Sequence, residues 1–322
     1  MLHKVVMIDG FPGCGKTMLS PIISAFERVE IMQYAPLIEQ ICELRYLDCI
    51  DEDVAESMVR MNTDLLIYNI MMGRNSNCRP TDLSSIFKHK PTKHIRRMLE
   101  SGDETIPKKI IEQKPILQLT THMLLTASEL LFKALGDKLI FIEVIRHPLY
   151  MIIQQEKNFN ILEGPRSQHV RYSLDNKEYT FFTNGWEDTF DVSNSVEKAI
   201  HSINWYYSIL FDSNTDRCMF IPFEKFVKQP DDYMQKISEK LSTPITHSVR
   251  KEMKNQKVPR EQLSDGPDLD IYKRCGWTPP KYFSEDEELN ARRELVSKNV
   301  SSESLKLFDT ICKKYTETYL NK

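Results

Sequence analysis

Gly10-Phe11-Pro12-Gly13-Cys14-Gly15-Lys16-Thr17 is the stretch that decides the fold. It satisfies the eight-residue pattern GxxxxGKT, whose glycines let successive backbone N–H groups curl around a phosphate while the lysine sets a cation on the phosphate oxygens. The apolar run Val5 to Ile8 stops at its first glycine, and Met18 to Phe26 returns at helical spacing after it. The loop therefore lies between a predicted strand and a predicted helix, whose N-terminus adds partial positive charge. A second apolar run, Val29 to Met32, supplies the next strand of a βαβ unit.

Working outward, residues 36–72 read as helices with core faces at Leu37, Ile41, Leu44, Val54, Met58, Leu65 and Ile70, interrupted by the acidic break Asp48 to Asp53. Residues 73–114 are polar and broken by Pro80, Pro91, Gly102 and Pro107, an irregular excursion from the main alternation. Pro115 to Thr120 is the next strand. Thr126-Ala127-Ser128-Glu129 is a capping-box pattern that opens a helix ending at Gly136. Lys138 to Ile145 is largely apolar and β-branched, as strands buried on both faces tend to be, and Pro148 begins a helix running to about Asn158. Residues 160–194 interrupt again with a hairpin, Val170 to Leu174 and Glu178 to Phe182 about the turn Asp175-Asn176. Val196, Ile200, Ile203, Tyr207 and Leu210 mark an amphipathic helix, Cys218 to Ile221 a strand, and 284–299 and 302–320 two closing helices. His201, Trp205 and Tyr206 are assigned to helix packing.

Five strands separated by helices predict an α/β protein, a P-loop NTPase-like three-layer sandwich with a central, mostly parallel five-stranded sheet and helical covers. One domain spans 1–322, with substrate-side insertions at 73–114 and 160–194.

Composition narrows the function classes. The chain has 322 residues, 41% hydrophobic and 28% charged, which excludes a disordered, collagen-like or membrane-embedded protein. With 43 Lys+Arg against 46 Asp+Glu the net charge is -3, so nothing global points to nucleic acid or an anionic membrane. Seven cysteines without CxxC or Cys/His ligand spacing argue against a disulfide framework or zinc site and for a reducing compartment. The apolar N-terminal run is too short for a signal peptide and no 18-residue apolar stretch follows, so a cytoplasmic protein without an anchor is expected.

A Mg·ATP enzyme offers a metal-holding carboxylate at the end of a neighbouring strand. Here the 138–145 strand ends in arginine, Glu143 lies inside it, and the 116–120 strand runs into Thr121-His122. The pattern points to a donor that carries phosphate but transfers another group, with no metal site expected.

Three segments together resemble the P-loop sulfotransferase family, which moves a sulfuryl group from 3′-phosphoadenosine 5′-phosphosulfate (PAPS) to a hydroxyl or amine. Phe11 to Thr17 stands where that family has its 5′-phosphosulfate loop. Leu119-Thr120-Thr121-His122-Met123-Leu124 is similar to its strand ending in Thr-His-Leu, and Phe141 to Pro148 resembles its strand ending in Arg-x-Pro. Ile221 to Pro230 looks like its Tyr-Glu-Asp-Leu…Pro segment. The resemblance implies PAPS as donor, with adenosine 3′,5′-bisphosphate (PAP) as product. It implies His122 as general base and Lys16 as catalytic cation. For the donor it implies Phe11, Pro12, Gly13, Cys14, Gly15, Lys16, Thr17 and Met18 at the 5′ end and Arg146 and Gln154 at the 3′-phosphate. Lys273 and Arg274 would stand in for the C-terminal donor loop. The acceptor would be a small molecule or glycan. The family often carries its loop lysine at the position of Gly13, and a serine at that of Gln154; Lys16 here has the placement typical of kinases. The rival readings are a small-molecule or nucleotide kinase, with Lys16 and Thr17 serving Mg·ATP and Asp9 or Glu143 on metal or base duty, and a nucleotide-binding protein without turnover. Phe87 to Met98, with Lys88, Lys90, Lys93, Arg96 and Arg97 and no carboxylate, reads as a solvated mobile face or a dock for an acidic acceptor. Tyr172, Tyr179, Phe181, Phe182 and Trp186 either cap an acceptor pocket or pack the hairpin on the core.

Overall fold

A strand covered on both faces reads as a largely apolar run, and two segments show it most clearly. Val5 to Asp9 and all seven residues of Leu139 to Ile145 are buried. The computed structural model describes residues 3–100, 102–162, 168–213, 216–267 and 282–321. In chain order its elements are β1 (Lys4–Asp9), α1 (Lys16–Ser24), β2 (Gln33–Tyr34), α2 (Pro36–Tyr46), α3 (Glu52–Met72), α4 (Pro91–Leu99), α5 (Ile106–Gln113), β3 (Ile116–Thr120), α6 (Ser128–Leu135), β4 (Leu139–Ile145), α7 (Pro148–Leu162), β5 (Arg171–Leu174), β6 (Lys177–Thr180), α8 (Glu187–Val192), α9 (Ser195–Asp212), β7 (Cys218–Pro222), α10 (Phe223–Lys228), α11 (Asp231–Leu241), α12 (His247–Asn255), α13 (Glu285–Asn299) and α14 (Ser302–Tyr315).

The central sheet has five parallel strands in the order β2-β3-β1-β4-β7, and β5-β6 is a separate antiparallel hairpin. The predicted α/β architecture holds. β1 lies between β3 and β4, with Ile8 opposite Thr120 on one side and Asp9 opposite Glu143 on the other. The chain leaves β1 in one direction and β4 in the other, so the crevice for a ligand opens at the carboxyl ends of these three strands. None of the described helices is long and apolar enough to cross a membrane.

Helix α1 is registered on β3 by buried polar groups. Ser24 Oγ donates to Gln118 Oε1 at 2.8 Å, Gln118 Nε2 donates to the Ser20 carbonyl at 2.8 Å, and the Ser20 and Thr120 hydroxyls lie 2.9 Å apart. Each group has a partner, so the seam fixes the loop helix against the strand that leads to His122.

Several expectations are corrected. The strand placed at Val29 to Met32 reduces to an isolated bridge of Val29 with Ile116, and regular pairing begins only at Gln33. Glu30 in that run is drawn instead into a buried ion pair with Arg97 and Lys93. The capping box at Thr126 does not form. Met123 turns the chain at a left-handed φ of 58°, the Thr126 hydroxyl donates to its carbonyl at 2.8 Å, and a 3-10 turn over Leu124–Ala127 precedes α6. The 73–114 insertion contains α4 and α5, and its basic stretch is divided: Lys88, Lys90 and Arg96 stay exposed as a solvated face, while His94 and Arg97 are buried. Its ties run to Glu30, to the Phe26 carbonyl and, through α5, to the start of β3. That is the amino-terminal edge of the sheet, opposite the loop, and not the substrate side expected for it. Helices α10 to α12 had no counterpart in the pattern reading. The hairpin falls where expected, with Asp175 and Asn176 left-handed in its turn.

Candidate functional site

Gly10 to Gly15 leave β1 as a loop and α1 begins at Lys16, so the first N–H groups of that helix face the cup without carbonyls of their own turn. Gly15 adopts φ 109°, and a Cβ there would lie 2.3 Å from the Phe223 ring, so only glycine fits. Pro12, Gly13, Gly15 and Thr17 are partly exposed and form the rim. Phe11, Cys14 and Met18 turn their side chains into the core, so a ligand meets only their backbone. Burial pushes the Cys14 thiol up to about 11, which keeps it protonated and unreactive. Lys16 is also buried; its ammonium donates to the Gly10 carbonyl and lies 3.4 Å from that of Phe11.

Arg146, directly after β4, reaches the same loop: its Nη1 donates to the Gly13 carbonyl at 3.2 Å. The guanidinium lies between the rings of Phe223 and Tyr150, at 4.3 and 4.9 Å from their centroids. Its backbone is equally constrained. Tyr207 donates to the Arg146 carbonyl, and the next amide, His147 N, donates to Glu224 Oε1 at 2.7 Å. Glu224 is buried, and burial holds its pKa above the usual carboxylate value; Tyr315 Oη donates to its other oxygen at 2.8 Å. Arg146 Nε is buried with no partner among the described residues. Gln154 stands two turns into α7, its Oε1 3.1 Å from where a Gly13 Cβ would be. Arg146 and Gln154 therefore converge on Gly13.

His122 follows β3. Its neighbour Met123 donates its N–H to the Gly10 carbonyl at 3.4 Å, which ties the histidine turn to the start of the loop. The ring is about one-third exposed, and its Nδ1 lies 3.0 Å from Glu39 Oε1, which also accepts from the His122 backbone N–H at 2.7 Å.

Asp9 and Glu143 do not take up the metal or base duty of the kinase reading. Thr121 Oγ1 donates to Asp9 Oδ1 at 2.8 Å and Leu125 N to Oδ2 at 3.1 Å, so this carboxylate braces the turn that carries His122. Glu143 is fully buried; burial, then the neighbouring Asp9 charge, push its pKa well above the ordinary carboxylate value and favour its neutral form. Tyr206 donates to it at 2.6 Å and lays its ring 5.2 Å from Phe11 beneath the loop.

Sequence reasoning missed Glu39, Phe223, Tyr150 and the hydroxyl of Tyr206. The one available signal for Glu39 was its place in the first turn after a strand at the carboxyl edge. Tyr179, Phe181 and Phe182 are buried and pack rather than line an opening. Lys273 and Arg274 lie outside the described residues.

No protein-family model matches the sequence, and no curated protein matches it. Among solved structures, the chain is similar at 12% identity to a sulfotransferase domain of the Synechococcus PCC 7002 olefin synthase, over 97% of this chain and 94% of that one, with a TM-score of 0.44. It is similar at 12% identity to a Mycobacterium avium sulfotransferase, over 99% of this chain and 77% of that one, with a TM-score of 0.42. It is similar at 11% identity to a mouse sulfotransferase solved with PAP, over 98% and 85% of the two chains, with a TM-score of 0.36.

Proposed function

We propose that this protein transfers a sulfuryl group from PAPS to a hydroxyl or amine of a small-molecule or glycan acceptor, in a cytoplasmic setting. One observation carries the reading: Arg146 and Gln154 meet the loop at Gly13 while the His122 turn meets it at Gly10. A phosphate cup flanked by a half-buried guanidinium with an unpartnered Nε suits an adenosine phosphorylated at both 5′ and 3′ positions. The bound donor would supply a sulfuryl group whose leaving oxygens belong to a phosphate. Loop amides, with Lys16 once it leaves the Gly10 carbonyl, would hold the 5′ end, and Arg146 and Gln154 the 3′-phosphate. Charge developing on the leaving phosphate would be met first by the loop amides, which are already in place, and preorganised donors are where such catalysis gains most. His122 Nε2 would take the acceptor proton, a role typically worth about 10²–10⁴-fold. Both oxygens of Asp9 are engaged and Glu143 is fully buried beneath Tyr206, which supports sulfuryl over phosphoryl transfer, because neither carboxylate is exposed to hold a metal at the cup.

The test is a calorimetric titration with PAP and with ATP, each with and without magnesium. Magnesium-independent binding of PAP that Mg·ATP fails to displace supports the reading. ATP binding only with magnesium, with no competition from PAP, overturns it.

A further inference from the structure

Helix α2 starts at Pro36, just beyond β2, and presents two glutamates one turn apart on a single face. Each does the same thing to a different segment. Glu39 Oε1 accepts from the backbone N–H of His122 at 2.7 Å and lies 3.0 Å from its Nδ1. Glu43 accepts from the backbone N–H of Val170 at 2.7 Å and lies 2.6 Å from Nδ1 of His169. The first pair fixes the turn after β3, and the second fixes the entry to the hairpin of the 160–194 insertion. Both carboxylates are largely buried, with side-chain exposures of 10% and 3%.

Burial would raise the Glu39 pKa, but hydrogen bonding from His122 and the charges of His122 and His169 bring it below the ordinary carboxylate value. Ionised at neutral pH, Glu39 is an acceptor only, so the hydrogen at the 3.0 Å contact comes from the ring. The proton of a neutral His122 then sits on Nδ1, and Nε2 keeps its lone pair. The other ionisable groups around this turn are Glu43 and His169 along α2, Asp9 through Thr121, and Lys16 in the loop.

We propose that Glu39 is a positioning residue that sets the tautomer and orientation of His122, leaving Nε2 as the nitrogen that accepts the acceptor's proton. The proposal rests on the sulfuryl-transfer reading for what that proton is, but the tautomer can be read without turnover. In the full chain labelled with nitrogen-15 at histidine, long-range proton–nitrogen correlation spectra should show neutral His122 protonated at Nδ1. Glu39→Ala should move the ring to a mixture or to the Nε2–H form. It should also lower kcat about 10²-fold with PAP affinity changed less than about twofold, the pattern of a lost general-base alignment. Glu39→Gln keeps an acceptor oxygen at the same reach and should restore most of both readouts, and it covers the case in which the alanine variant folds poorly. Glu43→Gln, one turn away, should leave the His122 tautomer unchanged. The proposal is overturned if Glu39→Ala leaves both tautomer and kcat untouched, if Glu39→Gln loses the Nδ1–H tautomer and kcat as fully as loss of the acceptor would, or if Glu43→Gln shifts the His122 tautomer as far as Glu39→Ala does. If no acceptor is turned over at all, the sulfuryl-transfer reading fails while the tautomer measurement still decides the role of Glu39.

Discussion

The two edges of the sheet use the same residue types to opposite ends. At the amino-terminal edge, buried Glu30 takes Arg97 at 2.8 Å and Lys93 at 2.9 Å, and these cations hold its pKa down to about 2 although burial alone would raise it. His94, beside it, is buried and, mainly through desolvation, lowered to about 4. The buried charges of that pair are matched within the fold. At the carboxyl edge, Arg146 is held by rings and a loop carbonyl, with no carboxylate in ion-pair range among the described residues, and Glu39 secures only one of the two His122 nitrogens. A buried pair whose charges cancel is scaffold. A constrained cation left unmatched, next to a histidine with one nitrogen to spare, is a site.

The sharpest way to break this contrast is Arg97→Ala. It strands Glu30 with Lys93 alone, and the loss of stability should be about 3–5 kcal/mol with PAP affinity of the folded fraction unaffected. Denaturant melts and calorimetry measure the two separately; an affinity change would show that the two edges are coupled.

Acid should weaken the scaffold next. His89, His94 and His147 are each lowered to about 4, chiefly by burial, from an ordinary 6.5. Between those values the unfolded chain binds protons that the folded one refuses. Their stabilising contribution is complete above about pH 6.5 and is lost as pH falls toward 4, on the order of 1–3 kcal/mol per histidine. Glu30 adds a further loss between 4.5 and about 2, because its folded pKa is depressed. Melting temperature measured from pH 8 to 4 should therefore fall throughout the lower half of the range; a flat profile would mean that these histidines are already charged.

The smallest effect belongs to Glu143→Gln. Burial and the Asp9 charge favour the neutral form of Glu143, which Gln mimics without a change of charge, so stability should change by less than about 1 kcal/mol, whereas Asp9→Asn, which disturbs the bonds to Thr121 and Leu125, should cost more. Thermal melts of both variants check this, and a loss above about 3 kcal/mol in Glu143→Gln would show that Glu143 is ionised beneath the loop.

Legibility followed the range of the interactions. The strand, loop and α1 were readable because glycine geometry and the lysine act within eight residues, and β4 because its burial is written in an unbroken apolar run. His122 and Arg146 were readable as residues that end strands. Glu39 was not: its partner is 83 residues away, and an acid in a helix's first turn has an ordinary reading as a complement to the helix dipole. Arg97 was misread for the same reason. Its carboxylate lies 67 residues upstream, so 87–98 looked uncompensated. The ring clamp on Arg146 joins residues of α7 and α10, a pairing that no local pattern announces.

The central claim is that one end of a doubly phosphorylated adenosine sits in the loop and the other on Arg146. Affinities of PAP and of AMP, for the unsubstituted protein and for Arg146→Ala, close a thermodynamic cycle on that contact. The account predicts that removing the 3′-phosphate weakens binding about 10–100-fold in the unsubstituted protein, as loss of a charge-assisted bond implies, and has almost no effect in Arg146→Ala. An undiminished preference for PAP over AMP in Arg146→Ala would contradict it.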